Sequence, residues 1–367
     1  MRRDAATAAP VTEGQLYVRL HTQHSDTLNP IRAMTIRPLL ISICAVAALA
    51  VAALATSCAE YKKGEYAKGT DFIACEDGFR RILEEEIEVF EYQYPDAFIL
   101  PSYLNENACI DSLKAGKCRL IIVTRELTKN ECQLIKQEQE RNVRQQCIAV
   151  DAVAIIVNKE NNISFLSEEE IGQVMRGEIT NWNQLQSNDT SRIKIVFDNE
   201  GSSTVNYMRD KFLPKGRRIS QNPNAFAQKN NKEVFETVQR NRNVLGIISV
   251  SWLGDSLQAA NKQQTMADRV KGLENTTDTV NVDFTDAVKV IPVRAADALK
   301  PVKPYQANIF NGSYPLYRKV WAICTAPNGS LPHSFYAFLT GFIGQKIISE
   351  TGILPYNVQP RVVKVSK

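Results

Sequence analysis

Histidine is scarce in this chain, which argues against a metal centre. The 367 residues contain three histidines: His21 and His24 close to the N-terminus and His333 close to the C-terminus. The eight cysteines do not indicate a metal site either, because spacings such as Cys109 to Cys118 do not resemble those of zinc sites. We therefore expect no metal site and no cofactor.

The chain also lacks the patterns typical of nucleic-acid binders and of serine hydrolases. Lys and Arg total 44 against 40 Asp and Glu, and no segment combines clustered basic and aromatic residues. Ser202 follows an apolar run, as a nucleophile can, but it lacks the Gly-x-Ser-x-Gly form. His333 has no feature that marks it as the base for Ser202. An enzyme is thus an alternative, and we expect a non-enzymatic protein that binds no nucleic acid.

The longest apolar run, residues 39–55, is shorter and richer in Ala than most membrane spans, which need roughly 20 apolar residues. Arg37 precedes it and Cys58 follows it, which is typical of a lipoprotein signal peptide. We predict that Cys58 is lipidated and that residues 1–57 are a leader and signal peptide. The alternative is a membrane-spanning anchor. Met34 indicates that residues 1–33 are an over-long gene start.

Six cysteines follow Cys58, and their redox state stays open at this point. An exported protein could pair them in disulfides, and buried free thiols are an equal alternative. The sequence does not choose between these states. They are Cys75, Cys109, Cys118, Cys132, Cys147 and Cys324.

From Cys58 onward, short apolar runs alternate with helical patterns, which predicts an α/β fold with buried parallel strands. The length suits two α/β domains or one large domain. Ser167 and Glu170 have the spacing of a capping box at the start of one helix. Asp77 follows the first strand and is a good N-cap for the next helix. The predicted strands cover residues 72–75, 119–123, 152–157, 193–197, 244–250 and 320–324.

The most informative segment is the turn at residues 198–204, DNEGSST, between an apolar run and an amphipathic helix. Helix N-termini present unpaired N–H groups and a positive dipole end. Ser202, Ser203 and Thr204 add hydroxyl donors, so an oxyanion could bind there. Ordinary N-capping by Ser or Thr is the alternative.

The order of segments resembles the substrate-binding lipoproteins of phosphate ABC transporters, the PstS-like family, and within it a branch found in Bacteroidetes. Each landmark alone is weak, whereas their combination in this order is specific. The landmarks are residues 69–74, Tyr94-Pro95, and residues 120–128, 149–154, 167–182, 201–204, 244–248 and 312–316.

This resemblance implies an α/β fold of the type II periplasmic binding protein kind. Two lobes joined by two crossover segments would enclose a ligand cleft and close by a hinge motion. Residues 58–150 and 300–367 would form lobe 1, and residues 151–299 would form lobe 2. The implied protein is an exported, lipid-anchored monomer that captures inorganic phosphate, or a similar oxyanion, and delivers it to an ABC permease. A surface lipoprotein of the same fold that senses another ligand without transport is the alternative.

The resemblance also implies which residues line the cleft. We expect turns from both lobes to hold the anion with neutral donors. For Asn105, a simple turn or cap role is an equal alternative. Lobe 1 would contribute Asp77, Gly78, Asn105, Thr124 and Arg125, and lobe 2 would contribute Asp198, Ser202, Ser203 and Thr204.

Two departures from the family pattern concern charge. The first turn carries Glu76 and Asp77 where many relatives have a hydroxyl residue, and Asp198 occupies the place of an Arg in some members. One fixed positive charge is therefore missing, and Arg125 is the candidate that could replace it by reaching into the cleft. Asp77 and Asp198 could instead be a plain N-cap and a solvent-facing turn residue.

Overall fold

The computed structural model describes residues 67–253, 265–274 and 284–357. The predicted signal peptide and Cys58 lie outside these residues. Within them, no helix is long and apolar enough to cross a membrane.

Strands and helices alternate along the described chain, as the apolar runs predict. Short 3-10 turns cover Asp77–Phe79, Trp182–Gln184, Ile219–Gln221 and Val250–Trp252. The strands are β1 (Gly69–Glu76), β2 (Ala97–Leu104), β3 (Leu120–Val123), β4 (Arg144–Val157), β5 (Leu166–Ser167), β6 (Lys194–Phe197), β7 (Ala225–Ala227), β8 (Val244–Ser249), β9 (Lys289–Val290), β10 (Val293–Arg294), β11 (Tyr317–Cys324) and β12 (Leu354–Pro355). The helices are α1 (Arg80–Gln93), α2 (Glu106–Lys114), α3 (Lys129–Gln139), α4 (Glu168–Arg176), α5 (Ser203–Phe212), α6 (Asn231–Arg240), α7 (Met266–Glu274), α8 (Gln306–Phe310), α9 (Leu331–Thr340) and α10 (Phe342–Glu350).

One mixed sheet runs through the molecule in the order β2-β1-β3-β11-β4-β8-β6-β7. At its two ends the strands are parallel, with β1 between β2 and β3 and with β6 between β7 and β8. In the middle they are antiparallel, because β11 pairs antiparallel with both β3 and β4, and β4 pairs antiparallel with β8. The prediction of uniformly parallel strands is therefore wrong at the centre. Buried antiparallel strands have the same continuous apolar pattern as parallel ones, so the sequence could not separate them.

Strand β4 is shared by both halves of the sheet. Its residues from Arg144 to Ala152 pair with β11, and those from Val153 to Val157 pair with β8. The chain thus passes from one half-sheet to the other between Ala152 and Val153, within a single strand. The predicted strand covered only the second part, since Asp151 separates the apolar residues 147–150 from the apolar run 152–157.

Local capping explains where α4 and α5 begin. Ser167 and Glu170 form the predicted capping box at α4, and Ser202 accepts a hydrogen bond from Val205 N–H at α5, as predicted. At the turn after β1, the prediction that Asp77 caps the next helix is wrong. The side chain of Glu76, not Asp77, accepts from Gly78 N–H, and α1 starts at Arg80 after the 3-10 turn without a side-chain cap.

The six cysteines after Cys58 are free thiols in this structure. All except Cys132 are buried. Burial raises the pKa of Cys75 well above its usual value and raises that of Cys118 to about 11. Of the two alternatives left open by the sequence, the structure shows buried thiols, which pack as small apolar side chains.

Candidate functional site

The N-terminus of α5 is fully buried. Ser202, Ser203 and Thr204 are each 0% exposed. Ser202 Oγ accepts from Val205 N–H at 3.1 Å and donates its own proton to Asp198 Oδ1. The cap role of Ser202 is therefore confirmed. Its O–H donates a hydrogen bond to a carboxylate and not to a histidine. Thr204 Oγ1 has no hydrogen-bond partner among the described residues.

Asp198 is buried, so the alternative of a solvent-facing turn residue is wrong. Its side chain is 1% exposed. Besides Ser202, it accepts a hydrogen bond from Asn231 Nδ2 at 3.2 Å, which is contributed by the start of α6. Asp198 therefore ties the turn before α5 to a second helix N-terminus.

The fixed positive charge at this turn comes from Arg318, which the sequence reasoning missed. Arg318 is 5% exposed. Its Nη1 donates to Ser203 Oγ at 2.9 Å, and its Nε and Nη2 donate to Asp151 Oδ2 at 3.0 and 2.9 Å. A usable signal was present, because Arg318 lies between the buried Leu316 and Val320 at strand periodicity.

The first turn brings two more carboxyl groups to the same region. Glu76 is 0% exposed, and its Oε2 accepts from Gly78 N–H at 2.9 Å while its Oε1 has no hydrogen-bond partner in the described part of the chain. Asp77 Oδ1 pairs with Arg80 Nε at 3.1 Å, and its buried Oδ2 is also without a partner there. A Cβ at Gly78 would lie 2.5 Å from Glu76 Oε2, so a larger residue there would displace this carboxyl group.

The second turn closes against α5 from the opposite side. Asn105 caps α2 by accepting from Ala108 N–H at 2.9 Å, and its amide lies against Gly201, where a Cβ would approach within 2.9 Å. The cap alternative for Asn105 is thus confirmed. Next to it, the buried Glu106 accepts from Asn206 Nδ2 of α5 at 3.1 Å.

The turn after β3, at Thr124, also forms its hydrogen bonds with Glu106. Glu106 Oε1 accepts from both the backbone N–H and the hydroxyl of Thr124, at 2.8 and 2.6 Å. The proton of the Thr124 hydroxyl is therefore used within the protein. The next residue, Arg125, forms its ion pair with a different glutamate, Glu131.

Arg125 does not supply the missing charge, contrary to our expectation. Its two terminal nitrogens each lie 2.9 Å from a carboxylate oxygen of Glu131, and 41% of its side chain is exposed. Glu131 also completes the capping box with Thr128 at the start of α3. A local carboxylate thus satisfies Arg125, while the buried positive charge at α5 belongs to Arg318.

Besides the hydrogen bond from Arg318 to Ser203, several hydrogen bonds join elements of the two half-sheets around this region. Asn206 reaches Glu106, Asn107 N–H donates to Gly201 O at 3.4 Å, and Ser251 Oγ donates to Gly78 O at 2.6 Å. These contacts bury the turn before α5 against the turns after β1 and β2. We refer to this region, where the turns after β1, β2 and β3 meet the N-terminus of α5, as the cleft.

Electrostatics inside the cleft favour neutral carboxyl groups. Burial and the neighbouring Asp198 raise the pKa of Glu76 to about 8, against the opposing effect of Arg318. Burial also raises the pKa of Asp198 to about 7, although the hydrogen bond from Ser202 and the charge of Arg318 oppose it. For Asp151, burial raises the pKa despite its ion pair with Arg318. At neutral pH the cleft is therefore less negative than its count of carboxyl groups implies.

The unpartnered buried atoms indicate what the cleft can do. Glu76 Oε1, Asp77 Oδ2 and Thr204 Oγ1 lie at turns that meet across the cleft, and each lacks a hydrogen-bond partner in the described chain. Buried polar atoms normally have partners, so these atoms are candidates for contact with a small polar ligand. In residues 67–253, 265–274 and 284–357, no group of three or more His, Cys, Asp or Glu is placed to hold a metal ion.

Comparison with known proteins gives relatives of one kind. The phosphate-binding protein PstS of Pseudomonas aeruginosa is 22% identical over 283 residues, which cover 73% of this chain and 77% of that protein. The PstS of Borreliella burgdorferi is 30% identical over 131 residues, 34% of this chain and less than half (46%) of that protein. The predicted resemblance to PstS-like proteins is thereby confirmed.

Solved structures show the same fold. A putative phosphate ABC transporter substrate-binding protein from Clostridium perfringens, solved with bound phosphate, superposes with a TM-score of 0.61 at 21% identity, over 79% of this chain and 100% of the other. An ABC-type phosphate transport receptor from Vibrio cholerae gives a TM-score of 0.55 at 23% identity, over 78% of this chain and 100% of the other. The two-lobed type II fold is thus confirmed. The family model for the PBP superfamily domain matches residues 65–343, and the chain belongs to this superfamily.

Proposed function

We propose that this protein captures inorganic phosphate, or a similar oxyanion, outside the cytoplasm and delivers it to an ABC permease. The observation that carries the proposal is the buried N-terminus of α5, where Ser203 accepts a hydrogen bond from Arg318 and the adjacent Thr204 is fully buried. A helix N-terminus with hydroxyl donors and a nearby guanidinium is suited to a small anion. The names of the relatives from Pseudomonas aeruginosa and Clostridium perfringens support phosphate as the anion.

Donors at the cleft remain available for such an anion. The Ser203 hydroxyl accepts from Arg318 and lies next to Glu76, so its proton is available to an anion when Glu76 is neutral, and the Thr204 hydroxyl is without a partner in the described chain. The first backbone N–H groups of α5 add to these, since they have no intrahelical acceptors. Closure by the turns at Gly78 and Asn105 would shut the bound anion off from water, which strengthens each of these hydrogen bonds.

Export and anchoring belong to the same proposal. Lipidation at Cys58 would hold a monomeric receptor at the membrane surface, beside the permease it serves. Support comes from the apolar run that ends just before Cys58.

A thermal-shift screen of the signal-free protein tests the proposal. Phosphate, sulfate and molybdate would each be added over a concentration series, with chloride at matched ionic strength as the control. A ligand at about 100 times its dissociation constant adds roughly 2.7 kcal/mol to the free energy of unfolding. We expect phosphate to raise the melting temperature in a saturable way. If no oxyanion does so, the proposed function is wrong.

A further inference from the structure

Only one of the two carboxyl oxygens of the buried Glu76 has a hydrogen-bond partner among the described residues. Its side chain is 0% exposed. Oε2 accepts from Gly78 N–H at 2.9 Å, whereas Oε1 has no partner in the described residues. An oxygen that accepts an N–H is best left unprotonated, so a proton on this carboxyl group would sit on Oε1. That atom would then be a hydrogen-bond donor without an acceptor at hydrogen-bond distance among the described residues, although the Ser203 hydroxyl lies close to this carboxyl group.

The neighbouring charges favour the protonated form. Arg318 is the nearby cation, but all three of its guanidinium nitrogens already donate to Asp151 and Ser203. Three other acidic groups face this region, Asp198 from the end of β6, Glu106 from α2 and Asp77 from the same turn. The buried thiols Cys75 and Cys109 are also close enough to be affected by the charge of Glu76. Desolvation and the like charge of Asp198 both raise the pKa of Glu76, to about 8.

We propose that Glu76 keeps its proton in the cleft and donates the Oε1 hydrogen to the captured oxyanion. This inference rests on the proposed function and adds a condition to it: the form of the protein with Glu76 protonated binds the anion. An ionised Glu76 could not donate a hydrogen bond, and next to Asp198 and Glu106 it would add a further negative charge that weakens binding of the anion. Anion capture is thereby coupled to one proton, which the protein must take up from solution wherever Glu76 is ionised in the unliganded state.

The substitution Glu76→Gln provides a matched test. Glutamine keeps the shape, its carbonyl oxygen can accept from Gly78 N–H, and its amide nitrogen is a permanent donor at the position of Oε1. Phosphate itself changes protonation in the same pH range, but both proteins meet the same mixture of species. The ratio of the wild-type dissociation constant to that of the variant therefore isolates Glu76.

Calorimetric titration with inorganic phosphate between pH 6 and pH 9.5 gives this ratio. Below about pH 7 we expect a constant ratio, and between pH 7 and pH 9 we expect it to rise by about tenfold as the wild type loses its proton. Glu86→Gln is the control, because Glu86 is also a fully buried carboxyl group but lies at a cavity lined by Ile82 and Leu83 instead of the cleft. It should reproduce the wild-type profile.

A second measurement needs no variant. At pH 8.5, titrations of the wild type in two buffers of different ionisation enthalpy report the protons taken up on binding, and we expect uptake larger than in Glu76→Gln by most of one proton. A ratio that is flat with pH, or equal proton uptake by both proteins, overturns the inference alone. If the wild type binds neither phosphate nor sulfate at any pH, the proposed function falls, and this inference falls with it.

Discussion

Arg318 and Asp151 face each other across neighbouring antiparallel strands and form a fully buried ion pair. They are register partners on β11 and β4, and both Nε and Nη2 of Arg318 donate to Asp151 Oδ2, at 3.0 and 2.9 Å. Asp151 Oδ1 accepts from Ser249 Oγ at 3.0 Å. The pair lies where β4 passes between the half-sheets, and it directs the remaining nitrogen of Arg318 at Ser203. Arg318 therefore links the crossover of β4 to the N-terminus of α5.

Breaking this pair should cost much of the stability of the fold. Asp151→Asn keeps the shape but leaves the Arg318 charge buried without a counter-charge, and such losses are typically about 3 to 5 kcal/mol. Urea unfolding at pH 7 measures this loss in the free energy of unfolding. Asp111→Asn is the control, because its pair with Lys114 is solvent-exposed and surface pairs contribute little. Equal losses in the two variants would show that Arg318 does not depend on Asp151.

The hydroxyl groups at α5 should separate into two classes. Thr204→Val and Ser203→Ala remove donors that are available to an anion, and hydrogen bonds to charged groups contribute about 1.5 to 3 kcal/mol, so each should weaken phosphate binding by about tenfold or more. Ser202→Ala should instead lower stability by about 1 kcal/mol, because Ser202 caps the helix and donates to Asp198.

Calorimetric titration and urea unfolding of the same variants distinguish the classes. Ser167→Ala, which removes the cap of α4, is the control for a loss of capping away from the cleft. Phosphate affinity within twofold of the wild type in both Thr204→Val and Ser203→Ala would show that the turn is structural.

Selectivity for phosphate over sulfate should depend on the aspartates of the cleft. A carboxylate accepts hydrogen bonds, so it can accept a proton of hydrogen phosphate but repels sulfate, which has none at neutral pH. Asp77 has one buried oxygen without a partner in the described chain, whereas both oxygens of Asp198 have partners. We expect Asp77→Asn to erode the preference by admitting sulfate, and Asp198→Asn to have the smaller effect.

Competition titrations with both anions at pH 7 check this ordering. An unchanged phosphate-to-sulfate ratio in both variants would remove the aspartates from selectivity. Tight sulfate binding by the wild type would contradict the assignment of phosphate itself.

Membrane attachment should depend on Cys58, which lies outside the described residues. Cys58→Ser removes the thiol that would carry the lipid, so the protein should move from the membrane fraction to the soluble fraction. Cys132→Ser is a suitable control, because Cys132 is a partly buried thiol of the folded domain. Retention of the Cys58→Ser protein in membranes after a carbonate wash would contradict the lipoprotein interpretation.

Much of the strand pattern could be predicted because buried strands are continuous apolar runs. The predicted strand at residues 72–75 lies within β1, and the predicted strand at residues 193–197 begins one residue before β6. Strand β2 was missed, because it is an edge strand with Phe98 and Leu100 exposed and with Pro101 inside it. An edge strand alternates in burial and tolerates proline, so it does not give the same signal.

The site was harder to predict than the fold, and the two arginines show why. Arg125 follows a strand at a turn, yet Glu131, six residues further on, satisfies its charge locally. Arg318 comes from a strand far along the chain, and its partner Asp151 is 167 residues away. Only the antiparallel register of β11 and β4 brings them together. A pattern within a short window can predict a helix cap, but it cannot predict which distant strand supplies a buried charge.

Glu86 provides a stability prediction that is independent of ligand binding. This side chain of α1 is 0% exposed, neither carboxyl oxygen has a hydrogen-bond partner in the described chain, and it lines a small apolar cavity with Phe79 and Leu83. Burial, and secondly the charge of Glu85, raise the pKa of Glu86 well above its usual value. The native state therefore keeps the proton, while the unfolded chain releases it above about pH 4.5.

Because the native state holds more protons than the unfolded state, stability falls as pH rises above that point, by up to about 1.4 kcal/mol per pH unit. Glu86→Leu removes this dependence, so its gain in the free energy of unfolding should be larger at pH 7.5 than at pH 5. Urea unfolding at both pH values measures the difference. Glu84→Leu, on the exposed side of the same helix, is the control and should change stability by less than about 0.5 kcal/mol at either pH. A gain for Glu86→Leu that is the same at pH 5 and pH 7.5 would show that the buried carboxyl group is not protonated selectively in the native state.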